Sequence, residues 1–264
     1  MTSTTNLSWS RLTTGLNLPT IAVGAVTLTI ASLFPRTRRS YNNWYALGPA
    51  GFVPHNILGW IVQGLMAVIA KGETLDTSPF RDPKVLRLYD GLDGQSSFLP
   101  SSPLPKRSRP NVPFVVFPQR QTDHSAPESI VQQMEAYLHA LASANASLLQ
   151  VKGSRLEGIG NPALYLASGR SHPLLTARMQ GEIVHRHYEG SSHMVLSLAD
   201  AELVLLKGWG ERFRLSGVVV PWTYTMVYAP RDEEELEAWK GLVLASARFM
   251  YATAREEVQD LKGV

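Results

Sequence analysis

Three of the chain's seven histidines fall within nine positions, as His185, His187 and His193. Imidazole has an ordinary pKa of about 6.5, so near neutral pH it takes and returns protons, and its neutral form ligates metals. What three imidazoles can do depends on whether the backbone brings them together. Residues 182–188, EIVHRHY, are rich in branched and aromatic types and alternate in the manner of a strand. Side chains two apart share a strand face, so His185 and His187 stand side by side while Glu182 points away from both. Glu189-Gly190-Ser191-Ser192 is a turn signal, and His193 opens a second apolar run to Leu198. A hairpin here would return His193 to His187 and gather the imidazoles at one end of a sheet.

Such a cluster supports two chemistries. One is acid–base catalysis, with His185 or His187 as the base and His193 orienting it or donating to a reacting oxygen. The other is ligation: three histidines with Glu182 or Glu211 nearby match the donor set of zinc or non-haem iron, although an outward Glu182 weakens that version. No Gly-x-Ser-x-Gly elbow accompanies the serines beside His193, so no nucleophile triad is indicated. A solvated polar strand face is the plain alternative. The remaining histidines, His55, His124, His139 and His172, read as structural or solvent-facing. A second group lies downstream. Trp209-Gly210-Glu211-Arg212 reads as a tight turn whose Trp209, with Tyr228, can stack on a flat substrate. Arg212 or Arg231 can stabilise a developing anion, and Glu211 joins them as a binding candidate. Trp209 as a packing anchor and Arg231-Asp232 as a helix cap are the structural alternatives.

The bulk numbers bound the class. With 264 residues and 44% hydrophobic content, the chain can bury one substantial core. A net charge of +3 is a mild excess that does not mark a nucleic-acid binder. The absence of cysteine excludes disulfide frameworks, thiol nucleophiles and zinc ribbons.

The elements that must position these residues begin with a polar tip. Leu16 to Phe34 then runs without a charge, about the length that crosses a bilayer's ~30 Å hydrocarbon core. Arg36, Arg38 and Arg39 follow, against a single Arg11 before it. This predicts a single-pass transmembrane helix within residues 1–40, with the amino terminus in the lumen of the endoplasmic reticulum and the remainder in the cytosol. Tyr41, Trp44 and Tyr45 suit an interfacial belt. The second apolar run, Ile57 to Ala70, suits a helix lying in the interface or docked on the core. From Lys71 the chain is rich in Gly, Ser, Asp and Pro and reads as a linker, so residues 41–111 form an apolar segment plus linker.

The globular domain is expected at 112–264. Pro113 to Pro118 reads as a short strand, and Ser125-Ala-Pro-Glu128 as a capping box opening a helix to Asn145. Strands are expected at Leu148–Leu156, Ala163–Ala167 and Trp222–Tyr228. A short helix from Asp200 should end at Gly208, and Asp232 should cap a long last helix whose apolar stripe runs to Leu261. The order argues an α+β fold, an antiparallel sheet covered by helices, preceded by the transmembrane helix.

With these residues laid out, the chain resembles the fungal luciferase family, enzymes that oxidise 3-hydroxyhispidin. The stretch YNNWYALGPAGFVPHNILGWI, EIVHRH with His193, KGWGER and most specifically VYAPRDEEE carry the likeness. It implies an α-pyrone reacting with dioxygen without metal or organic cofactor, through a cyclic peroxide that loses carbon dioxide. It further implies a small-molecule substrate of polyketide type from specialised metabolism, and a bilayer as the second partner. Where the luciferase pattern has His-Pro after the Gly-Trp-Gly turn, this chain has Phe213 and Arg214, and its segment before Trp222 is shorter. Both departures fall where a substrate pocket would be shaped. They leave open a non-luminous relative that cyclises, isomerises or hydrolyses its substrate, and a membrane-tethered binding protein.

Overall fold

A computed structural model describes residues 35–51, 53–100 and 104–261. The expected span at Leu16 to Phe34 lies outside them. Among the described residues no helix is long and apolar enough to cross a membrane. Two compact units divide at Ala46/Leu47. In the first, residues 35–45 are helical, and the Tyr41 ring lies 6.0 Å from Trp44 and 5.7 Å from Tyr45.

The second unit holds the sheet. Its first helix, α1 (Ile57–Met66), is capped by Asn56, which accepts from the amides of Leu58 and Gly59. At ten residues it is too short to span a bilayer. The stretch expected to be a linker is instead folded. It forms a 3₁₀ turn at Ser78–Arg81 and α2 (Pro83–Leu88), where Asp82 caps and Pro83 sits at the first helical position. Phe80, Val85, Tyr89 and Leu104 are buried in the main core. Its Gly/Pro content marked turns correctly, but apolar residues between the turns bind it to the domain.

Helix α3 (Glu128–Ala144) buries Ile130, Val131, Met134, Leu138 and Leu141 as their spacing predicts. The capping box does not form, because Pro127 takes the cap position and no side chain bonds there. No strand forms at Pro113–Pro118. Strands β1 (Leu149–Ser154), β2 (Gly158–Leu166), β3 (Glu182–Arg186) and β4 (Ser192–Val195) follow. Helix α4 (Leu198–Lys207) is capped by Ser197 and ends at Gly208 with φ 80°. Gly210–Arg212, expected as a turn, is strand β5, and β6 is Tyr224–Val227. Helix α5 (Glu233–Tyr251) is capped by Asp232 and stops ten residues short of the apolar stripe's end at Leu261.

The α+β class is borne out: one six-stranded antiparallel sheet, ordered β1-β2-β3-β4-β6-β5. Helix α3 packs on β1 and β2, and α5 on β3 and β4. Two bonds identify the strand positions that face these helices. The Trp239 indole of α5 donates to Ser192 Oγ at 3.0 Å, and Arg186 reaches Glu135 of α3 at 3.2 Å. Period-two alternation then turns His185, His187 and His193 to the opposite face.

Candidate active site

The β3–β4 hairpin assembles the cluster. His185 pairs in register with His193, and the His187 amide closes the turn on Ser191 O at 2.7 Å. Gly190 holds φ +97°, and a Cβ there would meet that of Ala126 at 2.5 Å, so the turn requires glycine. His193 Nδ1 lies 3.3 Å from His185 Nε2 and 3.1 Å from His187 Nε2. All three rings are buried, so the cluster is not a solvated strand face.

The outward Glu182 is a correction. Its Oε1 lies 2.6 Å from His185 Nδ1. The β2–β3 register shifts between Leu164 and Tyr165, where Tyr165 pairs with Glu182 rather than Ile183, and this one-residue slip turns Glu182 to the histidine face. Glu182 also accepts from Ser154 Oγ at 2.8 Å, the Arg155 amide at 2.9 Å and Tyr165 OH at 2.6 Å. Burial works to raise its pKa, but the hydrogen bond with His185 and the two hydroxyl donors hold it below the usual carboxylate value.

Other partners escaped the sequence reading. His187 Nδ1 lies 2.8 Å from Ser191 Oγ, which donates to Glu189. Arg120 bridges the carboxylates, ion-paired to Glu157 and 3.9 Å from Glu189, while donating to the carbonyls of Leu47 and Pro49. Glu157 Oε2 comes within 3.7 Å of His187 Nε2. Gln119 Oε1 faces His193 Nε2 at 3.5 Å. Burial, then the neighbouring His185 and Arg120, lowers the His187 pKa well below its ordinary value; burial, then His187, His185 and Arg120, does the same to His193. Burial pushes the Glu189 carboxyl up.

Above the cluster is a cavity of about 400 Å³, walled mainly by apolar side chains such as Val62, Met66, Phe117, Val219 and Val220. Tyr224 stacks on His193 with ring centroids 5.1 Å apart and planes 4° from parallel. Phe213 stands edge-on to the same imidazole at 5.2 Å and 85°. The residue that departs from the luciferase pattern therefore lines the cavity beside a histidine.

The Gly-Trp-Gly corner does not reach this cavity. Trp209 is fully buried, and its indole donates to Pro105 O at 2.6 Å. Arg212 donates to the carbonyls of Glu73 at 2.6 Å and Asp76 at 3.0 Å. Tyr228 OH donates to Glu211 Oε2 at 3.2 Å, and Arg231 pairs with Glu235. Of the binding candidates, Glu211 touches the cluster's surroundings with its side chain, accepting at 2.6 Å from Gln119 Nε2, and Arg212 does so only through its backbone carbonyl, at 3.3 Å from the same nitrogen. The sequence signal behind the others, aromatic and basic residues crowded at a corner, equally describes packing anchors.

Residues 180–246, the span that holds the whole hairpin, match the family model of the Luciferase domain. The chain carries a luciferase-family domain. Its relatives include the luciferase of Armillaria ostoyae, 29% identical over 244 residues and 86% of either chain. The Armillaria gallica luciferase is 28% identical, covering 86% of this chain and 85% of its own. The Neonothopanus nambi luciferase is 26% identical over 85% of both chains. No solved structure matches. In this luciferase-family domain, the matched span supplies the three histidines, the Gly-Trp-Gly corner and most of α5, whereas Arg120, Gln119 and Glu157 come from outside it.

Proposed function

We propose that this protein is a membrane-anchored oxygenase of the luciferase family, acting on a flat, enol-bearing small molecule of pyrone or polyketide type. The observation that carries the reading is the placement of three buried imidazoles at the floor of an apolar cavity. A hydroxylated pyrone fits such a space: its ring meets Phe117, Phe213 and Tyr224, and its acidic enol meets the imidazoles at the floor. The step required of the cluster is enolisation. Loss of the enol proton gives an electron-rich enolate that delivers two electrons to dioxygen and forms the carbon–oxygen bond of a peroxide. Either an imidazole lone pair takes that proton, or the cluster makes the enol more acidic. What sits between the three nitrogens decides which. Apolar walls serve the later steps, because they keep water from the peroxide. The uncharged run Leu16 to Phe34 and its arginine flank support the anchor, and with it an endoplasmic-reticulum location with the domain on the cytosolic side.

The test is to incubate the purified protein with 3-hydroxyhispidin and related pyrones and follow oxygen uptake and light. Uptake that disappears in His187→Ala supports the reading. Absence of uptake with every pyrone removes it. Phe213, which occupies the cavity where the luciferase pattern has His-Pro, favours a second reading as a non-luminous enzyme with a different step. Turnover that persists without oxygen would single that out.

A further inference from the structure

The arrangement of the three imidazoles poses a question that proton transfer alone does not answer. Each ring offers one nitrogen to a common point, His185 Nε2, His187 Nε2 and His193 Nδ1, with separations of 3.3 and 3.1 Å to the last. Each ring's other nitrogen faces an acceptor. His185 Nδ1 meets Glu182, and His187 Nδ1 meets Ser191 Oγ, whose own proton goes to Glu189. His193 Nε2 faces Gln119 Oε1, an orientation set by the bond from Gln119 Nε2 to Glu211. The outer nitrogens therefore carry the N–H protons, and the converging ones are lone pairs directed at one another. Three lone pairs at that spacing repel. One proton can bridge two of them and leaves the third unanswered.

A metal ion answers all three. Nitrogens about 2.0–2.1 Å from a tetrahedral or octahedral centre lie roughly 3.0–3.4 Å apart, the spacing that His193 Nδ1 keeps to each of the other two, and all three donor atoms lie within 4.8 Å of one another. We infer that His185, His187 and His193 form a binding site for one divalent first-row transition ion, with its remaining coordination positions open to the cavity. Glu182 and the Ser191–Glu189 pair complete it as positioning residues that fix the ring tautomers, the role outer carboxylates play around metal-bound histidines. Three neutral imidazoles suit zinc, iron, cobalt or copper over magnesium or calcium, which prefer oxygen donors. Glu157, the carboxylate 3.7 Å from His187 Nε2, is held off by Arg120 and is not among the ligands in this arrangement. The inference does not depend on the oxygenase reading, since it concerns occupancy of the site and not the reaction.

The experiment uses the full chain, free of any histidine tag and stripped with a chelator. Cobalt(II) is added while visible d–d absorption and melting temperature are followed, and the metal content of unstripped protein is measured in parallel. The expected result is one equivalent bound, with d–d bands of a nitrogen-coordinated ion and a raised melting temperature. His193→Ala should weaken binding at least about a hundredfold, and Glu182→Gln about 10–100-fold by loosening one ligand's orientation. Far-UV circular dichroism confirms that each variant is folded, and if His193→Ala is not, Glu182→Gln still carries the test. Folded wild-type protein with no bands and an unchanged melting temperature at millimolar cobalt overturns the site. Equal binding by wild type and His193→Ala overturns it as well, by placing the ion on other residues.

Discussion

The imidazole cluster and the Gly-Trp-Gly corner are two buried groups of polar and aromatic side chains on one sheet, and both stood out in the sequence. They differ in what their polar atoms face. At the corner, the Trp209 indole and Arg212 Nε and Nη2 donate to the backbone carbonyls of Pro105, Asp76 and Glu73, which clips the segment before α3 to strand β5 and its approach. In the cluster, the rings satisfy their outer nitrogens and leave the inner ones directed at each other, beside a cavity. A buried polar group whose bonds all close on backbone is holding the fold together. One with an unspent lone pair facing a space is available to a ligand.

That contrast can be broken most sharply by exchange of one residue on each side. His187→Ala should lower oxygen uptake by about a hundredfold or more while the fold survives, as read by circular dichroism. Trp209→Ala should do the reverse, costing about 3–5 kcal/mol of stability through the cavity it leaves, measured by denaturant unfolding. If Trp209→Ala folds and loses turnover as severely as His187→Ala, the corner belongs to the site.

His172 sharpens the comparison as a buried histidine outside the cluster. Burial against Phe249, whose ring lies 5.7 Å away, lowers its pKa to about 4. Because the folded-state value lies below the unfolded value of about 6.5, the unfolded chain gains a proton first, and stability is lost as pH falls from 6.5 towards 4. This group should account for about 2 kcal/mol of the difference in unfolding free energy between pH 7.5 and 5. Comparing that difference in wild type and His172→Gln checks it, and an identical pH dependence in both would contradict the assignment. The smallest stability effect is expected at the cavity wall. Phe213→His should change stability by about 1 kcal/mol or less yet alter which pyrones are turned over, measured as ratios of kcat/KM. Unchanged ratios would mean that Phe213 does not meet the substrate.

Much of the fold was legible because its signals are local. The α3 stripe, the Gly208 stop, the Asp232 cap and the β3–β4 hairpin all follow from spacing, capping chemistry or turn residues within a few positions. The errors were of another kind. Lys71 to Pro113 has a linker's composition, and only the partners of Phe80 and Tyr89 in the core distinguish it from one. Glu182 was assigned to the wrong face because a register slip between two strands is invisible in either strand's own sequence.

By itself, then, the order of residues determined the class of fold and the meeting of three imidazoles on one hairpin, since alternation and a short turn are properties of neighbouring positions. Only the tertiary structure decided what surrounds them. Arg120, Gln119, Glu157 and Glu189 converge from three separate segments, and the cavity is enclosed by loops and α1 from elsewhere in the chain. Such contacts depend on how distant segments pack, and no local periodicity encodes that distance.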